Sequence, residues 1–311
     1  MLLTRTKLIA LAAVFALTAC SKNDEDKGKK PNKPKQPVAR KTPVKKPEAK
    51  PVKKPEIETP VDNPNIEGKE VTYKAGKTTL KGYIAWDKTK EGTRPGILIV
   101  HEWWGHNNYV RKRARMLAEL GYTAFALDMY GDGKNTTHPK DAQKFMMQSM
   151  KHIDESIKRF KAAEALLKKD PHTNPKKISA IGYCFGGGVV LTMARLGLPL
   201  DGVASFHGSL APIKGKEAKK GKLKAKLLVL QGADDPFAPK KVVEAFKKEM
   251  KDAGANLQFH AYPGAVHAFT NPDATAIGNK YKLPLAYDRK ADEDSWNRLK
   301  EFLGKMYPVA K

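Results

Sequence analysis

Cysteine is almost missing from this chain: Cys20 and Cys184 are the only two in 311 residues. One lies in an apolar stretch near the N-terminus and the other among glycines, so a disulfide framework is excluded as the basis of the fold. Acidic residues are scarce too, 33 Asp and Glu against 58 Lys and Arg, for a formal charge of +25. Such an excess raises nucleic acid as a partner. No zinc-finger, RRM or helix-turn-helix pattern accompanies it, and the lysines are spread along helix-like segments. The expectation is a solvated basic surface and no nucleic-acid partner. HExxH and Cys/His clusters at ligand spacing are absent as well, so no metal and no cofactor are expected.

What the sequence does have begins at its N-terminus, "MLLTRTKLIALAAVFALTACSKN". Arg5 and Lys7 precede an apolar core from Leu8 to Leu17, too short for a membrane span and suited to a secretion signal. The closing Leu17-Thr18-Ala19-Cys20 resembles a bacterial lipobox. That resemblance implies that residues 1–20 are a signal, that Cys20 becomes lipidated, and that the chain is anchored to a membrane through that lipid. Ser21 in place of Asp resembles lipoproteins sorted onward, which implies a bacterial cell-envelope location, at the outer membrane facing the periplasm. Residues 21–66 are rich in Lys, Pro and Glu and have no apolar periodicity; they read as a disordered, extended tether reaching on the order of 100 Å. Residues 1–66 hold 15 Lys and Arg against 7 Asp and Glu, so most of the net charge lies beyond them.

From residue 67 to 311 the texture is globular. "EVTYKAGKTTLKGYIAW" predicts two antiparallel strands turning near Gly76. Ile97 to Val100 is a short wholly apolar run, as in a strand covered on both faces. A helix is expected from Tyr109 to Leu120, a strand in "YTAFALDMYG", and one long amphipathic helix over roughly Pro139 to Lys169. Strand "KISAIGY", helix "FGGGVVLTMARLG", strands "GVASFHG" and "AKLLVLQG", helix "PKKVVEAFKKEMKDAG", strand "NLQFHAY" and a last helix near Asp292 to Met306 complete the pattern. Alternating strands and helices predict one α/β domain, a mostly parallel sheet with helices on both faces.

Sites in such sheets form beyond the carboxyl ends of the strands. The predicted ends deliver His101-Glu102-Trp103-Trp104, Gly182-Tyr183-Cys184-Phe185-Gly186, Gln231-Gly232-Ala233-Asp234-Asp235 and Pro263 to His267. Gly-x-Cys-x-Gly at a strand-to-helix junction matches a nucleophile elbow with sulfur in place of the usual serine oxygen. Gly182 and Gly186 remove side chains that would collide across the sharp turn. Cys184 would then stand at a helix N-terminus, which favours its thiolate, and the Phe185 N–H would point at a developing oxyanion. Cys184 alone reads equally well as a small core residue. The order nucleophile, acid Asp235, then His267 is that of an α/β-hydrolase triad and favours catalysis.

"GYCFGGG", "GADDPFAP" and "YPGAVHAF", with "HEWWG" upstream, resemble the dienelactone hydrolase family over nearly all of residues 70–306. The resemblance implies an α/β-hydrolase fold with Cys184 as nucleophile, His267 as base and acid, and Asp235, in the frame set by Gly232, as orienter. It also implies that Glu102 pairs with the resting cysteine, and that the Trp103 N–H is the second oxyanion donor. Family members that open dienelactones hold the substrate carboxylate with arginines. Here the stretch after His267 carries Thr270 and Asn271, and "NTTHPKDAQKF" offers only Lys140 and Lys144, a departure that puts the carboxylate clamp and the dienelactone substrate in doubt. Trp103 and Trp104 suggest an aromatic mouth, with Tyr130, His106 and His207 as further lining. The resulting expectation is a small-molecule ester or lactone hydrolase working through a thioester. Its alternatives are a tethered binding module on a hydrolase scaffold and a cell-envelope polysaccharide deacylase.

Overall fold

The computed structural model describes residues 63–308; the expected signal segment, Cys20 and the expected tether as far as residue 62 lie outside them. The chain opens as a hairpin, β1 (Ile66–Ala75) and β2 (Thr78–Asp87), turning at Gly76 with φ +58°. Then come β3 (Arg94–Val100), α1 (Asn108–Glu119), β4 (Thr123–Leu127), α2 (Pro139–Lys151), α3 (Ile153–Lys169) and β5 (Thr173–Tyr183). The second half holds α4 (Phe185–Arg195), β6 (Gly202–Phe206), β7 (Lys226–Gly232), α5 (Lys240–Asp252), β8 (Leu257–Tyr262), α6 (Ala274–Tyr281) and α7 (Arg289–Met306). These strands form one sheet in the order β1-β2-β4-β3-β5-β6-β7-β8. β2 runs antiparallel to both β1 and β4, and every pairing from β4 across to β8 is parallel.

Alternation along the strands explains the layers. Ile97 and Ile99 of β3 join a core with Val110, Ala114 and Leu117 of α1 and Leu299 and Leu303 of α7. Leu98 and Val100 face the other way, into a core with Phe160 and Leu167 of α3, Val190 and Met193 of α4, and Phe246 of α5. Both faces of the sheet are thus covered, which is why the run Ile97 to Val100 is apolar at every position and fully buried. Each such side chain contributes about 1.5–3 kcal/mol.

Three details depart from the expected pattern. The long helix over Pro139 to Lys169 is two helices, because His152 leaves helical geometry at ψ 53°. Two buried serines bridge the break, Ser149 Oγ and Ser156 Oγ lying 2.8 Å apart. Helix α6 has too short an apolar pattern to be seen in sequence; it depends on Gly278, where a Cβ would lie 2.3 Å from the Leu285 carbonyl oxygen. The last helix begins at Arg289, where Asp288 caps it by accepting the Ala291 N–H at 3.0 Å.

β3 sits between β4 and β5, so the crossovers leaving β3 and β4 diverge at its carboxyl end. That is the sheet's switch point, where a crevice must open. Glu102 and Trp103 follow β3 there, and Cys184 follows β5.

Candidate active site

Cys184 links the last residue of β5 to the first of α4 and holds φ 54°, ψ −117°. A side-chain-bearing residue rarely occupies this region, and it persists only where its surroundings impose it. They do so by close approach of backbone. A Cβ on Gly182 would lie 2.1 Å from the Gly186 carbonyl oxygen, and one on Gly186 would lie 2.3 Å from that of Val100. The elbow is therefore wedged against β3, and its cysteine is only partly buried, at the edge of the core.

His267 lies in the loop between β8 and α6. Its Nδ1 donates to Asp235 Oδ2 at 2.8 Å. Asp235, beyond β7, is buried and further held by the Gln231 Nε2 donor and the Phe237 N–H, each at 2.8 Å. Asp234 is exposed, so Asp235 is the carboxylate that meets the histidine. Burial works against charge on His267, but the neighbouring Cys184 and the hydrogen bond to Asp235 outweigh it and push its pKa up to about 10. The imidazole of His267 thus has the Asp235 carboxylate on one ring nitrogen and Cys184 near enough to favour its charged form.

Glu102 is almost wholly buried, and burial pushes it up to about 7; a hydrogen bond from Asn271 and the positive charges of His267 and Arg113 pull the other way. The hydrogen bond that the structure gives it is to Asn271 Nδ2, 2.7 Å from Oε2, where the family resemblance implied the cysteine. Asn271, noticed in the sequence only as a position lacking arginine, is thus the partner of the glutamate.

His101 Nδ1 donates to the Glu102 carbonyl at 2.6 Å, and Tyr130 Oη donates to the Trp103 carbonyl at 3.1 Å. These bonds set the turn after β3. Among the described residues, neither the Trp103 nor the Phe185 N–H makes a backbone bond outside the helices and strands. Tyr130 is itself positioned by Asp128, whose carboxylate accepts four backbone N–H groups, from Lys81, Tyr130, Gly131 and Gly133.

Tyr130 lies near enough to feel the charge of Cys184, with burial the larger cause of its raised pKa. Phe145 packs on Tyr130 with ring centroids 5.6 Å apart, and Phe237 stands edge-on to His267 with ring centroids 4.9 Å apart. His106, expected as lining, instead bonds the Ala126 carbonyl at 3.1 Å and is a core residue. His207 touches Cys184 through the cysteine's backbone. Its Nδ1 accepts the Cys184 N–H at 3.1 Å, and its Nε2 lies 2.7 Å from Thr270 Oγ1.

In the stretch after His267, Thr270 and Asn271 stand in place of an arginine. Thr270 and Asn271 are both buried and spent on internal bonds. The nearby Arg113 guanidinium is occupied by the Thr270 carbonyl at 2.7 Å and Asp292 at 2.6 Å.

Known proteins resemble this chain in sequence and fold. The profile of the Dienelactone hydrolase family matches residues 80–307. A relative from Saccharolobus solfataricus that carries the name carboxymethylenebutenolidase is 27% identical, over 76% of this chain and 98% of its own length. Protein usf of Aquifex pyrophilus is 29% identical, over 74% of this chain and 95% of its own. Among solved structures, a dienelactone hydrolase-like promiscuous phosphotriesterase, P91 from metagenomic libraries, is 32% identical with a TM-score of 0.73. The match covers 78% of this chain and 99% of that one. On the extent of these matches and the sheet order beneath them, the chain belongs to the dienelactone hydrolase family: an enzyme of α/β-hydrolase fold that acts on esters or lactones.

Proposed function

We propose that the chain hydrolyses uncharged esters or lactones by nucleophilic catalysis at Cys184, through a thioester. The observation that carries this is the cysteine on its left-handed elbow beside a histidine held by a buried carboxylate. The Cys184 sulfur attacks the carbonyl carbon, and the amides of Phe185 and Trp103 receive the developing oxyanion. The carbon–oxygen bond to the alcohol breaks as His267 gives it a proton. His267 then takes a proton from water, the hydroxide adds to the thioester, and the carbon–sulfur bond breaks to return the thiolate. Asp235 holds the ring in the tautomer that both transfers need.

The preference for uncharged substrates is supported by Thr270 and Asn271, in place of an arginine, in the stretch after His267 and by the aromatic residues Trp103 and Phe237. P91's name adds to it, since a phosphotriester carries no ionised oxygen. The domain is held at the cell envelope by lipid on Cys20 and extended from it by residues 21–66, a reading supported by the signal and lipobox pattern. The test is hydrolysis of phenyl acetate by the purified full chain, set beside 4-carboxyphenyl acetate. We expect turnover that drops at least about 10³-fold in Cys184→Ala and a preference for the uncharged ester. Failure of any short ester to turn over would favour the binding-module reading. For the anchor, Cys20→Ala should abolish incorporation of labelled palmitate and release the protein from membranes; retention of both would refute it.

A further inference from the structure

His207 follows β6 with φ 38°, fully buried, and has no part in the three-residue series. The Cys184 N–H that its Nδ1 accepts is shared with the Phe206 carbonyl at 3.0 Å. A ring nitrogen that accepts a hydrogen bond carries no proton, so the ring proton lies on Nε2 and is donated to Thr270 Oγ1. The Thr270 hydroxyl in turn lies 2.6 Å from Tyr109 Oη, which accepts from Arg113 Nε at 3.2 Å. Arg113 is anchored by Asp292. One chain of hydrogen bonds thus runs from the amide of Cys184, through a histidine, to an ion pair joining α1 and α7.

We propose that His207 is a positioning residue for the nucleophile: its Nδ1 holds the Cys184 amide, keeping the thiol in its strained, reactive pose, and Thr270 locks the tautomer that leaves Nδ1 free to accept. The arrangement works only with a neutral ring, because a proton on Nδ1 would face the Cys184 N–H. The surroundings keep it neutral. Burial is the first cause, and the positive charges of His267, whose ring centroid is 5.3 Å away, and of Arg113 add to it, holding His207 well below its ordinary value. Two adjacent histidines therefore do opposite work. His267, with carboxylate and sulfur beside it, takes and gives protons; His207, with a hydroxyl and an amide beside it, keeps one.

This inference rests on Cys184 being the nucleophile, and the experiment separates the two. Full-length His207→Phe, His207→Asn and Thr270→Val are assayed for kcat and KM on phenyl acetate. Their rate of alkylation by iodoacetamide is read at the Cys184 peptide by mass spectrometry, with thermal unfolding as the control for folding. His207→Phe keeps the ring's shape and loses both nitrogens. We expect alkylation to slow about ten-fold and kcat to fall about ten- to hundred-fold, with KM changed less than about three-fold. In His207→Asn, Oδ1 takes the place of Nδ1 and should recover most of the loss, a rescue that loss of packing alone would not produce. Thr270→Val frees the tautomer and should lower kcat several-fold at unchanged KM. A folded His207→Phe with kcat and alkylation within two-fold of the parent, or an Asn variant no better than Phe, would overturn the proposal. If His207→Phe does not fold, Thr270→Val decides: a kcat within two-fold of the parent overturns it and a several-fold fall supports it. Alkylation reports on the thiol without turnover, so a chain that cleaves no ester but shows the alkylation pattern keeps this inference and loses the thioester mechanism.

Discussion

Glu102 offers a measurement on stability that is independent of substrate. Its carboxyl is 2% exposed, and burial raises its pKa from 4.5 to about 7 against the pull of Asn271, His267 and Arg113. Between those values the folded chain binds a proton at Glu102 that the unfolded chain has lost. The stabilising contribution of the neutral acid is complete below pH 4.5 and disappears as pH rises through about 7. At ~1.36 kcal/mol for each pH unit between the two values, the whole loss is about 3 kcal/mol. Glu102→Gln keeps an oxygen to accept from Asn271 and cannot ionise. Urea unfolding of both proteins, followed by tryptophan fluorescence from about pH 4.5 to 8, isolates this group, because every other titration is common to both. The stability difference should move by about 3 kcal/mol in the variant's favour as pH rises. A difference flat to within about 0.5 kcal/mol would mean that Glu102 titrates alike in folded and unfolded chains, and the assignment of a buried, half-ionised carboxyl at neutral pH would be wrong.

Three further outcomes follow from the same geometry. Asp235→Asn leaves the shape and removes the acceptor that fixes the His267 tautomer; kcat for an ester should fall about 10³- to 10⁴-fold with the melting temperature little changed, as read by steady-state kinetics and calorimetry. Gly182→Ala drives a methyl into the Gly186 carbonyl, which is backbone and cannot turn aside; the elbow should be destabilised by more than about 3 kcal/mol, visible in urea unfolding. Arg113→Met leaves Asp292 without its partner and Thr270 and Tyr109 without their donor, so about 3–5 kcal/mol of stability should be lost in the same assay.

Much of the site could be read in sequence because its members are local motifs. Gly182-x-Cys184-x-Gly186 is a turn requirement written within five residues, and Asp235 and His267 each follow an apolar run that can only be a strand. The network behind them could not be read that way. His207, Thr270, Tyr109 and Arg113 belong to three distant stretches, and Arg113 bonds Asp292 across 179 positions. No spacing rule connects such pairs. Their identity depends on which face of α1 meets α7, and that is settled only when both pack on the same side of the sheet. Asn271 shows the same division. In sequence it is a departure from an arginine pattern; in space it is the donor to Glu102, 169 positions away.

By itself, then, the order of residues determined the class of fold, the sharp turn at Cys184 and the succession of cysteine, acid and histidine, because periodicity, glycine sterics and strand ends are short-range properties of a chain. Only the folded structure decided where Glu102 finds its partner, that a second histidine, His207, meets the Cys184 amide, and that the single long helix is two. Those choices depend on burial and on neighbours brought together from far along the chain, and a local pattern holds no information about either.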